Sequence, residues 1–194
     1  VLCTRRKQPL FFKILLFAAA SYLLGALFEG CWELIYGNAP GGFHIGYLGY
    51  VGMWFFLFSS YFGAIDRLAD GGEPMYRPYR LAALAAPLAV LGLTVWSAAS
   101  YGPDASLPLL LLVVPMGLTL YFALKHLLLP DVEMGIIRVM RPYNALIILL
   151  GLSQAALLFP GLPGSLQPAV TLLVCVLLAA MLPTAEMGVR KWFM

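Results

Sequence analysis

Six mostly apolar stretches follow one another along the chain, separated by short segments that contain charge, proline or glycine. A helix needs about 20 residues to cross the hydrocarbon core of a bilayer, because each residue adds about 1.5 Å along its axis. The stretches approach or reach this length, so we predict six membrane-spanning helices. Their approximate bounds are 10–28, 45–65, 81–101, 107–128, 144–159 and 169–189.

The composition supports a lipid environment for these helices. Hydrophobic residues make up 62% of the 194-residue chain and charged residues 11%, whereas soluble domains have about half and about a quarter. These polar side chains are too few to cover the surface of a globule in water. The apolar excess must therefore face lipid. We therefore predict one all-α integral membrane domain over residues 1–194, a six-helix transmembrane bundle with the lipid bilayer as its main partner.

The basic residues predict the direction of the spans. Short loops rich in Lys and Arg remain in the cytoplasm, and all twelve basic residues fall on one side of the predicted bundle. The loops on the other side, 37–43, 102–106 and 160–168, contain no Lys or Arg. We therefore predict cytoplasmic termini and a location in a bacterial-type inner (plasma) membrane. Because the net charge of +3 has this topological meaning, we predict no nucleic-acid partner.

The start of the chain favours a fragment that lacks a preceding helix. Val1, rather than Met, is the first residue, and an apolar tripeptide leads directly into Arg5, Arg6 and Lys7. One more span at the start would give seven, with an outer beginning and a cytoplasmic end. Such an arrangement suits a cytoplasmic output domain or partner subunit that follows the membrane part.

The most informative polar pattern lies at the end of the first span. Ser21, Gly25, Glu29 and Glu33 recur every fourth residue and therefore share one helix face. Small residues let a second helix approach closely, and ionisable groups near membrane depth are costly, which makes them functional candidates. His44, at the outer start of the second span, is their nearest partner in sequence.

Glu29, Glu33 and His44 are thus the predicted ligand- or ion-binding residues, in an acidic outer site for a cation, a proton or an amine-bearing ligand. The alternative is that the first span ends at Phe28, so that both glutamates contact headgroups or water.

The glycines at 42, 46, 49 and 52 favour tight helix packing at the start of the second span.

On the cytoplasmic side, Asp66, Arg67 and Arg138 are predicted to couple helix movement to the cytoplasm, with Glu133 as a further pairing partner. A solvated connector with exposed, weak ion pairs is the alternative. Lys125 and His126 are expected at the membrane interface, with the lysine stem extended to the headgroups. The segment 132–140 alternates apolar residues with Arg138, which favours a short surface helix.

Sequence motifs do not assign a reaction to this chain. It has no phosphate-binding Gly-x-x-x-x-Gly-Lys loop, His-Glu-x-x-His, Cys-x-x-Cys or Gly-x-Ser-x-Gly pattern. We identify no catalytic residue and leave the metal and cofactor unassigned. The preferred prediction is a sensory or ligand-binding module that relays an outer-side signal to the cytoplasm. A small transporter, or the substrate-binding membrane subunit of one, is the alternative, and a membrane-embedded enzyme ranks third.

Overall fold

The computed structural model describes residues 10–66, 72–130 and 135–193, and helix is the only regular secondary structure in these ranges. The all-α class and the number of helices predicted from the sequence are confirmed for this described part. The helices are α1 (Leu10–Tyr36), α2 (Gly46–Ser60, continued by a π-helical turn, Tyr61–Ile65), α3 (Pro74–Tyr101), α4 (Leu107–Leu128), α5 (Ile136–Leu157) and α6 (Gln167–Phe193).

Four helices in the described ranges, α1, α3, α4 and α6, are long and apolar enough to cross a membrane. The regular part of α2 is shorter, at 15 residues, and reaches Ile65 only through its π-helical turn. The first turns of α5 contain Arg138 and Arg141, which lower its mean hydropathy. The apolar helices are those of a membrane protein by length and composition.

Helix ends differ from the predicted spans where polar residues continue a helix. The bounds of α4 agree at both ends. Helix α1 extends past residue 28 to Tyr36 because glutamate is a good helix former, and the chain turns at Gly37, where φ is 71°. Helix α5 begins at Ile136, so residues 136–140 are its first turns and not a separate surface helix; residues 132–134 lie outside the described ranges.

Helix α4 lies at the centre of the bundle. It packs against α2, α3 and α5, while α1 packs along α2 and α5 along α6. In the most apolar 18-residue segment of α4, half of the residues are buried. The corresponding share is 22% in α3 and 17% in α6. Fully buried side chains such as Leu112 and Met116 on α4 and Leu57 on α2 form the common core, which is stabilised by van der Waals contacts between closely packed side chains.

Glycines allow α1 and α2 to approach closely. A Cβ atom at Gly49 would lie 2.5 Å from the backbone oxygen of Ser21 and 2.7 Å from the backbone nitrogen of Gly25. A Cβ atom at Gly25 would lie 2.5 Å from the backbone oxygen of Gly46. The small-residue face predicted on the first span therefore packs against the glycines of the second, and this packing places Glu29, one turn after Gly25, beside α2.

Candidate functional site

A cavity of about 600 Å³ lies between α1, α2, α5 and α6, at the end of the bundle where α1 ends and α2 begins. This volume is in the range of small-molecule sites. Tyr22, Tyr47 and Tyr50 provide aromatic walls. The polar side chains that line it are Glu29, Glu33, His44, Gln154, Gln167, Thr171 and Cys175.

The structure brings Glu29, Glu33 and His44 together at this cavity. Glu29 and Glu33 are one turn apart on α1, and His44 Nε2 lies 3.6 Å from Glu29 Oε1. Glu33 is exposed at the mouth, whereas the Glu29 side chain is only 32% exposed. Because α1 continues to Tyr36, the two carboxylates stand on a helix face rather than in a loop after the first span.

Tyr50 holds Glu29 in place. The Tyr50 hydroxyl donates a hydrogen bond of 2.6 Å to Glu29 Oε2, while Oε1 faces His44. Tyr50 is buried, and its hydroxyl partly compensates the cost of withdrawing the carboxylate from water. The carboxylate therefore has a fixed position in the cavity wall.

His44 is enclosed by aromatic rings. Its ring stacks on Tyr47 with a centroid distance of 4.0 Å and on Phe28 at 5.7 Å. The side chain is 8% exposed, and Nδ1 is buried without a hydrogen-bond partner among the described residues. The Nε2 atom is therefore the ring nitrogen that faces the carboxylate.

Gln154 of α5 presents an unused donor at the base of the cavity. The Trp54 indole nitrogen donates a hydrogen bond of 2.8 Å to Gln154 Oε1. Because an indole N–H only donates, the amide oxygen must face Trp54. The Gln154 amide nitrogen has no hydrogen-bond partner in the described ranges, although the residue is 1% exposed and lines the cavity. A ligand with an acceptor oxygen would satisfy it.

A second polar group lies at the opposite end of α2 and is called here the Asp66 cluster: Asp66 with Lys125 and His126 of α4. Lys125 Nζ forms an ion pair with Asp66, and His126 Nε2 lies 3.0 Å from Asp66 Oδ1. Lys125 is 3% and His126 is 1% exposed. The expectation that these two side chains extend to the interface is wrong, because both point into the bundle towards Asp66.

The pKa of Asp66 reflects these contacts. Burial raises the pKa, but hydrogen bonds from His126 and Lys125, with the Lys125 charge, outweigh burial and hold it below its usual value of 3.8. The carboxylate is therefore ionised at neutral pH. Of the other predicted coupling residues, Arg138 is exposed on α5, and Arg67 and Glu133 lie outside the described ranges.

Helix α2 contacts both polar groups. Its buried aromatic side chains Tyr50, Trp54 and Tyr61 each donate a hydrogen bond to a polar side chain of a neighbouring helix. The last of these, from the Tyr61 hydroxyl to Asn144 Oδ1, measures 2.8 Å. The π-helical turn begins at Tyr61 and leads to Asp66. One helix thus connects the cavity with the Asp66 cluster.

Sequence reasoning missed Tyr50, Gln154 and the wall that α5 and α6 provide. The spacing Tyr50, Trp54, Tyr61 places these aromatics on one face of α2, but one sequence does not reveal which helix packs there. Within the described ranges, no group of three His, Cys, Asp or Glu side chains is arranged to hold a metal ion. Comparison with protein-family models, with curated proteins and with solved structures finds no match.

Proposed function

We propose that the six helices span a bacterial-type inner membrane and that both ends of the chain face the cytoplasm. Large apolar side chains cover the outside of the bundle, among them Leu24 on α1, Leu88 on α3 and Leu172 on α6. In water such a surface promotes association, whereas in a bilayer it is solvated. The one-sided distribution of Lys and Arg supports the orientation, which puts the cavity on the outer side and the Asp66 cluster on the inner side.

The cavity, in this proposal, binds a small organic cation that arrives from outside. One observation carries the proposal: the Glu29 carboxylate is fixed in an aromatic-walled cavity whose lining contains no Lys or Arg. An ammonium group gains Coulomb attraction from the carboxylates and a further contribution of about 0.5–2 kcal/mol from each aromatic face it touches. The volume of about 600 Å³ accommodates the apolar body of such a molecule as well as its charge.

The bound ligand acts as a signal that α2 relays to the cytoplasm. Below the cavity, Met53, Trp54, Leu57 and Tyr61 of α2 are fully buried, which favours a movement of the helix over passage of the ligand. The same helix carries Tyr50 at the cavity and Asp66 at its other end. The π-helical turn between them is a feature often found at functional sites.

Transport is the second candidate, because polar side chains continue inward from the cavity. Gln154 lies at the base of the cavity, and the Tyr61–Asn144 hydrogen bond follows between Gln154 and the Asp66 cluster. Uptake of radiolabelled n-butylammonium into liposomes that contain the protein separates the two candidates. A relay module binds the cation without accumulating it in the lumen, whereas protein-dependent accumulation would favour the transporter.

Calorimetric titration of the detergent-purified protein with n-butylammonium tests the binding step. The variant Glu29→Gln removes the charge but retains an acceptor for Tyr50, so we expect at least a tenfold loss of affinity, equivalent to about 1.4 kcal/mol. Glu73→Gln is the matched control, because Glu73 is exposed and does not line the cavity. Equal affinity in the wild type and Glu29→Gln would remove the carboxylate from the site.

A further inference from the structure

We propose that the natural ligand is a two-headed molecule, with an ammonium group at Glu29 and an uncharged hydrogen-bond acceptor at Gln154, joined by a short apolar spacer. This inference rests on the proposed function and narrows its ligand class to amino alcohols and compounds of the same pattern. It is based on the unused amide donor of Gln154. A ligand with only an ammonium group would leave this donor without a hydrogen-bond acceptor.

The amide of Gln154 is fixed as a donor toward the cavity. Its oxygen is held by the Trp54 indole at 2.8 Å, and the Thr119 hydroxyl donates to the Trp54 backbone oxygen at 3.1 Å. Trp54 is fully buried, so the indole and the amide cannot readily turn. The amide nitrogen therefore faces the cavity, where an acceptor on the ligand can receive a hydrogen bond worth about 0.5–1.5 kcal/mol.

The spacing of the two heads follows from α2. Tyr50 holds Glu29 and Trp54 holds Gln154. These aromatic residues are four positions apart on one helix, which corresponds to roughly 6 Å along its axis at 1.5 Å per residue. We take this axial separation of the two anchoring residues as the approximate separation of the two heads of the ligand.

The rest of the cavity restricts the chemistry of the acceptor and the spacer. Glu29 and Glu33 line the cavity, and no Lys or Arg does, so these two carboxylates would repel a carboxylate on the ligand. The acceptor must accordingly be a neutral hydroxyl, ether or carbonyl oxygen. The rings of Tyr22 and Tyr50, with centroids 5.0 Å apart, form a wall suited to methylene groups between the two heads.

Two ligands that differ only in the acceptor test this inference. In 4-aminobutan-1-ol, a chain of four methylene groups separates a hydroxyl from the ammonium group, and n-butylammonium lacks the hydroxyl. We expect calorimetric titration of the wild type to show about five- to tenfold tighter binding of the amino alcohol, the value of one hydrogen bond. Gln154→Met removes the amide donor without adding a charge or a new acceptor for the ligand hydroxyl, so the ratio of the two affinities should fall to about one.

Gln154→Leu serves as a second apolar variant, and the thermal unfolding of both variants is compared with that of the wild type to verify folding. Ser153→Ala is the matched control, because Ser153 is the buried neighbour of Gln154 on α5 but does not line the cavity, so its loss should leave the ratio unchanged. Equal affinities of the wild type for the two ligands, or a ratio insensitive to both Gln154 variants, would overturn the inference while the proposed cation site stands. Absence of binding by either ligand would overturn both.

Discussion

At the scale of single residues, the Asp66 cluster carries the most concentrated charge in the described interior. Lys125 and His126 are almost completely buried, while the Asp66 side chain is 21% exposed. Withdrawing such groups from water costs several kcal/mol each, and this cost is offset only when they compensate one another. The Asp66 carboxylate therefore stabilises Lys125 and His126 in the interior. Its removal should leave these two basic side chains with less compensation for the cost of burial.

We expect Asp66→Asn to lower the free energy of unfolding by about 2–3 kcal/mol at pH 7, because the variant leaves two buried basic side chains without this carboxylate. Denaturant titration in detergent measures the change. Glu73→Gln, which alters an exposed carboxylate, should change it little.

The stability of the wild type and that of Asp66→Asn should respond differently to acid. The pKa of Asp66 is lower in the folded chain than its usual value of 3.8, so the stabilisation is complete above that value and is lost as the pH falls through the folded pKa. The difference in unfolding free energy between the wild type and Asp66→Asn should accordingly shrink below about pH 4. A difference that persists unchanged to pH 2 would contradict the assigned ion pair.

At the scale of secondary-structure elements, α2 depends on its close contact with α1. The backbones approach through Gly25, Gly46 and Gly49, where a methyl group at residue 49 would meet backbone atoms and not flexible side chains. Backbone atoms can make room only if the helices separate. The contact also sets the distance between Tyr50 on α2 and Glu29 on α1.

Gly49→Ala should therefore lower the unfolding free energy by about 1–3 kcal/mol, the usual cost of overpacking. It should also weaken n-butylammonium binding, because Tyr50 moves away from Glu29. Thermal unfolding and calorimetric titration measure the two effects. Gly92→Ala is the matched control: no atom lies within 4 Å of its added methyl group, so it should be neutral or slightly stabilising through the higher helix propensity of alanine.

The π-helical turn gives α2 a second testable property. A π-helical turn contains more residues than an α-helical turn, so deletion of Gly63 within Tyr61–Ile65 should restore α-helical geometry. Asp66 then becomes the fourth residue after Tyr61 in an α-helix, so it stays on nearly the same side of α2 and keeps its contacts with Lys125 and His126.

We expect the Gly63 deletion to leave the effect of Asp66→Asn on the unfolding free energy nearly unchanged, because Asp66 keeps its contacts when the extra residue of the turn is removed. A double-mutant cycle measured by denaturant titration determines the coupling. Strong coupling between the two changes would show that the deletion moves Asp66 away from Lys125 and His126.

At the scale of the whole molecule, the proposed topology separates the two polar ends of α2 by the bilayer. It places Asn38 outside and Arg77 and Arg138 inside, and all three are exposed in the structure. In a chain whose native cysteines are replaced by serine, a membrane-impermeant maleimide should label Asn38→Cys in intact cells. It should label Arg77→Cys and Arg138→Cys only after permeabilisation. Labelling of all three in intact cells would refute the orientation.

Helix number, and both ends of α4, followed from apolar length alone, since that signal needs no knowledge of neighbours. The extended end of α1 and the early start of α5 did not, because Glu33 and Arg138 favour a loop or an interface in a membrane segment although both are good helix formers. The proximity of Glu29 and His44 could be predicted from the sequence, because few other polar residues lie near the end of α1 and the start of α2.

The inward orientation of Lys125 and His126 was not accessible from the sequence. Helix α4 is apolar on nearly every side, so periodicity does not reveal which face is buried. The role of Gln154 on α5 was not accessible either, because its partner Trp54 is a hundred residues earlier in the chain. Such contacts depend on which helices are neighbours, and this information resides in the packing of the whole bundle.

Cys175 offers practical access to the proposed binding event. Its thiol is free and exposed, and it belongs to the cavity wall on α6. After replacement of the other cysteines, a fluorophore or spin label attached at this native position would report on occupancy of the cavity without a foreign residue in the wall. A bulky thiol reagent at the same position would obstruct the cavity chemically, and a small one that leaves room for ligand would serve as its control.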